Sequence, residues 1–179
     1  MKKIYPVICI LFFILFSSSC ERDDICTDGD TPLLVIGFFD IEDTTLVKSV
    51  SALRVRSLDN DQIVNDNLAF SFTDRGNTGT QDGDSILIPL QTASSMTSFT
   101  FISDSADDAD TGEETGNIDT LTISYSTREN FISRGCGFVI NFDELDVQLT
   151  TGSENWIQDI RVQQQTIENS NNIHVKIFH

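Results

Sequence analysis

The sequence predicts an all-β domain, an antiparallel β-sandwich of immunoglobulin or transthyretin-like kind with about nine strands. Three observations carry that prediction. Apolar residues recur with a period of two along almost the whole chain. The long stretches of period 3.6 that a helical or α/β enzyme requires are missing. Turn signals separate the alternating runs, at Arg75-Gly76-Asn77, Asp82-Gly83 and Thr151-Gly152-Ser153.

Taken in order, residues 33–39 are nearly continuous apolar sequence after Pro32, fit for a strand covered on both faces. Leu53 and Val55 alternate with Arg54 and Arg56. Leu68, Phe70 and Phe72 share one face. Ile86, Ile88 and Leu90 share another, and Pro89 marks an edge or a strand end. Phe99 and Phe101 alternate with Ser98 and Thr100, and Leu121, Ile123 and Tyr125 with Thr122 and Ser124. Phe138, Ile140 and Phe142 follow Cys136; Leu145, Val147 and Leu149 then alternate with Asp146, Gln148 and Thr150. Ile173, Val175 and Ile177 make the last strand. Residues 156–167 read either as a strand pair (Trp156, Ile160, Val162, Ile167) or as an amphipathic helix (Ile157, Ile160, Ile167); Arg161 opposing Ile160 and Val162 favours strand. Of the 13 Phe, Phe12, Phe13 and Phe16 precede residue 20. The other ten are expected to fill a core from both sheets.

The organisation reads as a signal peptide at 1–19, a lipidated tether at 20–32, and a sandwich at 33–179 with an acidic loop at 103–117. Lys2 and Lys3 form a positive start, and 4–16 is apolar apart from Pro6. That run is shorter than the ~20 residues a spanning helix needs. Ser17-Ser18-Ser19-Cys20 resembles a bacterial lipobox, in which small residues precede a Cys whose thiol takes a diacylglycerol. Ser17 stands where Leu is usual, with Phe16 one step back. Glu21, Asp23 and Asp24 resemble the acidic export signal that carries some lipoproteins to the cell surface; the competing reading is a solvated tether. Surface placement is favoured over the periplasmic face of the outer membrane.

Lys and Arg number 11 against 28 Asp and Glu. Loss of Lys2 and Lys3 leaves nine cations and a formal charge of −19. A chain this acidic excludes nucleic acid as a partner, and docking on anionic lipid by charge.

Of four Cys, Cys9 leaves with the signal and Cys20 takes the lipid. Cys26 and Cys136 remain, an even pair for an oxidising compartment, and a disulfide is expected between them. Two buried thiols or a metal site are the alternatives; a metal site would need His174 or His179, the two histidines of the chain. No Cys-x-x-Cys is present, which argues against redox chemistry.

Residues 103–117 read SDSADDADTGEETGN, with no cation among them. Asp104, Asp107, Asp108 and Asp110 are weak Ca²⁺ candidates, since Ca²⁺ wants six to eight oxygens. Asp108-Ala109-Asp110 begins like an EF-hand loop, but Gly112 takes the next ligand position and no Glu follows at the required distance. The favoured reading is a solvated, mobile hairpin loop whose charge guards a sheet edge. Asp59-Asn60-Asp61 is a still weaker metal candidate. No resident cofactor is expected.

Catalysis is not expected either. Gly-x-Ser-x-Gly, His-Glu-x-x-His and a phosphate-cradling glycine loop are all absent from the sequence. His174, between Ile173 and Val175, is expected to face solvent or sit at a sheet edge, and His179 to be mobile. In Ser133-Arg134-Gly135-Cys136-Gly137-Phe138 two glycines flank a Cys. The structural reading is a bulge or close backbone approach that lets Cys136 reach its partner. The functional one places Arg134 on a binding surface.

Asp23-Asp24-Ile25-Cys26 after Cys20, Thr31-Pro32 with the following strand, the stretch 133–138, and His174-Val175-Lys176-Ile177-Phe178 together resemble a family of short, uncharacterised Bacteroidota lipoproteins, a domain of unknown function. The resemblance spans nearly all of the mature chain and brings no activity, ligand or catalytic residue. It implies an outer-membrane lipoprotein working beside a β-barrel protein. The acidic insertion after Ile102 departs from the pattern.

Three roles follow as expectations. The leading one is a non-enzymatic, lipid-anchored module, held to the membrane at Cys20, that binds a protein partner such as an outer-membrane β-barrel. The second is a surface module for a glycan or small ligand, with Ca²⁺ as an assisting ion, for which Trp156 and Tyr125 are the non-Phe aromatics. The third is a structural coat built on the acidic surface.

Overall fold

Six apolar residues in a row make β1 (Leu34–Phe39), and all six are buried. A strand covered on both faces needs a central place, and β1 has one. It pairs with β4 (Ser85–Ile88) on one side and β9 (Val175–Phe178) on the other. With β8 (Asp159–Val162) these form a sheet of order β4-β1-β9-β8. The second sheet has the order β3-β2-β5-β6-β7, from β2 (Arg54–Ser57), β3 (Ile63–Asp66), β5 (Met96–Asp107), β6 (Glu114–Ser133) and β7 (Gly137–Leu149). The computed structural model describes residue 26, residues 30–58, 84–150, 152 and 154–179, and the main chain of 63–66. Among these residues there is no helix, and so none long and apolar enough to cross a membrane.

The all-β sandwich is therefore as expected, with one departure. The β1–β9 pair is parallel, Ile36 opposite Val175 and Phe39 opposite Phe178, so the first sheet is mixed. A parallel pair needs a long crossover, and here nearly the whole chain lies between its two strands.

The described residues fall in two units, the smaller made of Cys26 with 131–138 and the larger of the rest. In the larger, Leu34, Ile36, Phe38, Ile86 and Ile177 meet Val55, Phe99, Phe101, Leu121, Ile123 and Phe142 in one core. Gly37 lets neighbouring side chains come close to the β1 main chain. A Cβ there would lie 2.8 Å from Ile173 Cδ1 and 2.9 Å from the Phe39 ring.

Three expectations are corrected and a fourth holds in part. The acidic segment is not a loop: it continues β5 and opens β6, and residues 108–113 alone make the turn. The runs 138–142 and 145–149 are one strand whose phase slips at Glu144, where φ is +56°, so that Phe142 and Leu145 both reach the core. Phe138 is 65% exposed and Phe131 55%, so the ten rings do not all enter the core. Residues 156–167 contain β8 and an isolated bridge from Ile167 to Phe142, the strand reading in part. The run 68–72 and the Asp59-Asn60-Asp61 turn lie outside the described residues, as do Cys20, Glu21, Asp23 and Asp24.

Candidate functional site

Chemistry-bearing side chains gather in three places. The first is the base of the acidic hairpin. Asp107 of β5 and Glu114 of β6 stand directly opposite one another. Like charges in that register destabilise a sheet, and the neighbouring strand supplies the remedy. Arg54 of β2 places Nη1 2.8 Å from Asp107 Oδ1 and 2.8 Å from Glu114 Oε1. Arg56 Nε lies 2.6 Å from Glu114 Oε2, and Ser105 Oγ donates to Glu114 Oε1 at 2.7 Å. The Arg54 guanidinium holds the Asp107 carboxyl below the usual carboxylate range. Asp108 Oδ1 accepts from the amides of Asp110 and Thr111 at 2.9 and 2.8 Å, which closes the turn. Those amides, with the Thr111 hydroxyl, also lower the Asp108 pKa. Asp104 sits at a bulge with φ +52°. The four Ca²⁺ candidates are thus divided between an arginine pair, a turn and a bulge. No group of three acidic, His or Cys side chains able to hold a metal occurs among the described residues.

The second place holds the histidines. His174 is 1% exposed, against the expectation of a solvent-facing ring. Its Nδ1 accepts from the Val35 amide at 3.0 Å, and its own amide donates to the Val35 carbonyl at 2.9 Å. Burial pushes its pKa below the ordinary value, and a hydrogen bond with the Asn169 main chain pulls the other way. His179, expected to be mobile, is docked. Its ring lies edge-on to Trp156 with centroids 5.5 Å apart, and Nε2 is 3.1 Å from the Lys48 carbonyl oxygen. Lys48 Nζ donates to the His179 carbonyl at 2.8 Å. Burial lowers this pKa as well. Both rings are tied to main chain. Among the described residues neither is hydrogen-bonded to a hydroxyl or thiol that it could activate.

One structural anchor escaped the sequence reading. Asp119 is 1% exposed and accepts from Asn155 Nδ2 at 2.6 Å and the Ile157 amide at 2.8 Å. Its signal was its place in the inward phase of Leu121, Ile123 and Tyr125. Trp156 Nε1 donates to the Phe101 carbonyl at 3.2 Å, and the buried Tyr125 hydroxyl donates to the Gln91 carbonyl at 2.9 Å. Both aromatics that a glycan surface would present donate to main-chain carbonyls, and Trp156 remains partly exposed.

The third place is the smaller unit. Cys26 and Cys136 form a disulfide, with Cα atoms 4.9 Å apart. Cys136 lies in the turn 134–136 between β6 and β7, where its amide donates to Ser133 Oγ at 3.0 Å. Gly137, with φ +74°, turns the chain into β7 in a conformation that favours glycine. The expected close backbone approach is not the reason for this glycine, since a Cβ at Gly137 would meet nothing within 4 Å; the positive φ is. Phe131 and Phe138 flank the turn with their rings edge to face, 5.2 Å apart, and both are exposed. Ile132 and Arg134 between them are exposed too.

A family model described as "Family of unknown function (DUF6452)" matches residues 52–179. The landmarks at 133–138 and 174–178 fall inside the match, and those at 20–40 outside it. No curated protein and no solved structure matches the chain.

Proposed function

We propose, for a chain that belongs to this family of unknown function, the role of a lipid-anchored, non-enzymatic accessory module of a Bacteroidota outer membrane that engages a protein partner, such as a β-barrel, at the cell surface. The observation that carries the reading is Ser17-Ser18-Ser19-Cys20, a lipobox-like junction six residues ahead of the cysteine that closes the disulfide. Several acyl chains on one residue give stable anchoring, since each buried CH₂ contributes ~0.8 kcal/mol. The tether at Glu21, Asp23 and Asp24 supports export to the surface. The commitment of both histidines and of Asp119 to main-chain and structural hydrogen bonds supports binding over catalysis.

Three measurements test the reading. Labelled fatty acid should enter the wild-type chain and not Cys20→Ala. Protease applied to intact cells should degrade the protein. Capture from detergent-solubilised envelopes should recover one membrane protein in stoichiometric amount. A chain that takes up no label, and whose Cys20→Ala form behaves like the wild type, overturns the anchor; an anchored chain that captures nothing overturns the partner.

A further inference from the structure

We propose that the turn between β6 and β7 is a second membrane contact, with Phe131, Ile132 and Phe138 resting in the bilayer interface. The inference rests on the lipid anchor at Cys20 and adds to it the part of the protein that lies against the lipid.

Reach comes first. Six residues separate Cys20 from Cys26, and an extended chain spans at most about 20 Å over that length. The disulfide then sets Cys136 beside Cys26, with Cα atoms 4.9 Å apart. Cys136 is therefore held within about 25 Å of the acylated residue. Phe138 is two residues further on and Phe131 five residues back. A group tethered so closely to a surface meets it at high effective concentration without any affinity of its own.

Chemistry comes second. Phe131, Ile132 and Phe138 are large apolar side chains at 55%, 37% and 65% exposure, and the two rings pack on each other. Phe and aliphatic side chains on a protein surface bury at the boundary between lipid headgroups and acyl chains. Charge is the third argument. The chain carries 28 acidic residues, yet none falls between Asn130 and Phe142, where Arg134 is the single charged residue. Within the turn itself no carboxylate opposes an anionic surface. The exposed Arg134 supplies a donor for lipid phosphate.

The test uses the full lipidated chain with Phe138→Trp, placed in phosphatidylethanolamine–phosphatidylglycerol vesicles whose acyl chains carry bromine, a short-range quencher of indole emission. Wild-type chain, with its native Trp156, is the reference. Flotation and the mass of the acylated Cys20 peptide report the anchor separately. The expected result is flotation with at least a twofold loss of the emission that the substitution adds, relative to unbrominated vesicles. Flotation without that loss overturns the second contact and leaves the anchor standing. If unquenched emission comes with a crosslinked dimer, the turn is covered by a second copy and the proposal also fails. A chain that neither carries acyl groups nor floats takes both readings down. Phe131→Trp repeats the measurement should Phe138→Trp fail to fold.

Discussion

Nδ1 of His174 accepts a hydrogen bond from the Val35 amide at 3.0 Å, on a ring that is 1% exposed. A nitrogen that accepts cannot carry a proton, so the fold selects the neutral ring. Burial acts in the same direction and holds the pKa below its ordinary 6.5. The sign of the linkage follows. As pH falls through about 6.5, the unfolded chain takes up a proton that the folded ring refuses, and stability declines until the folded ring also titrates. The carboxylates held low by their partners, such as Asp107 and Asp108, join this loss only at more acid pH. Replacing the ring by His174→Phe should cost about 1–3 kcal/mol at pH 8, because the Val35 amide loses its acceptor. It should also flatten the decline between pH 6.5 and 5, leaving the share due to His179. Urea titrations at several pH values and the His174 ring proton shifts check this. An unchanged slope contradicts the assignment.

Arg54 separates two carboxylates that the sheet register sets face to face. Its side chain is 8% exposed and that of Glu114 14%, so the pair is largely shielded from water. Removing one partner of a shielded pair leaves a stranded charge. Arg54→Ala should therefore destabilise by about 3 kcal/mol, whereas replacing both partners with apolar residues should cost much less. Thermal unfolding of Arg54→Ala and of Arg54→Met with Glu114→Leu separates the two cases. An equal loss in both would mean that packing, not charge, holds the hairpin.

The same residues show what a one-dimensional reading can and cannot reach. Period-two alternation located β2, β4 and the centres of β5 and β6, and an unbroken apolar run located β1, because both signals depend on the sequence alone. The same reading took residues 103–117 for a loop, because the cations that pair with Asp107 and Glu114, Arg54 and Arg56, lie on another strand far earlier in the chain. Arg54 alternates in sequence with the core residues Leu53 and Val55, and its partners Asp107 and Glu114 come from β5 and β6. The split of β7 had a local signal, since the apolar phase shifts by one between Phe142 and Leu145. That shift marks a bulge as readily as a turn. The burial of His174 had no local signal: it depends on the parallel pairing of the first and last strands. Of the candidate site residues, the Cys26–Cys136 disulfide was legible from cysteine parity and compartment.

Gly37 should tolerate no side chain. It lies inside the fully buried β1, and a Cβ would sit 2.8 Å from Ile173 Cδ1 and 2.9 Å from the Phe39 ring. Crowding of that kind in a packed core costs about 1–3 kcal/mol. Gly37→Ala should lower the urea midpoint accordingly, and adding Ile173→Val should recover part of the loss by removing the nearest methyl. If the second substitution makes no difference, the clash is with Phe39 instead.

The disulfide should act mainly on the unfolded chain. Its cysteines are 110 residues apart in sequence, and closing a loop of that length removes chain entropy worth up to about 4.7 kcal/mol. In the folded state, the turn bearing Cys136 has its own support from the Ser133 hydroxyl and from Gly137. Loss of the link should therefore leave the native hairpin in place. The two effects differ in the denaturant slope. A lost native contact lowers the midpoint and leaves m unchanged, whereas a freed loop lets the unfolded chain expand and raises m. Cys26→Ser with Cys136→Ser should lower the urea midpoint, raise m, and abolish the faster migration of the oxidised protein on non-reducing gels. A lower midpoint at constant m would place the contribution of the bond in the native turn instead.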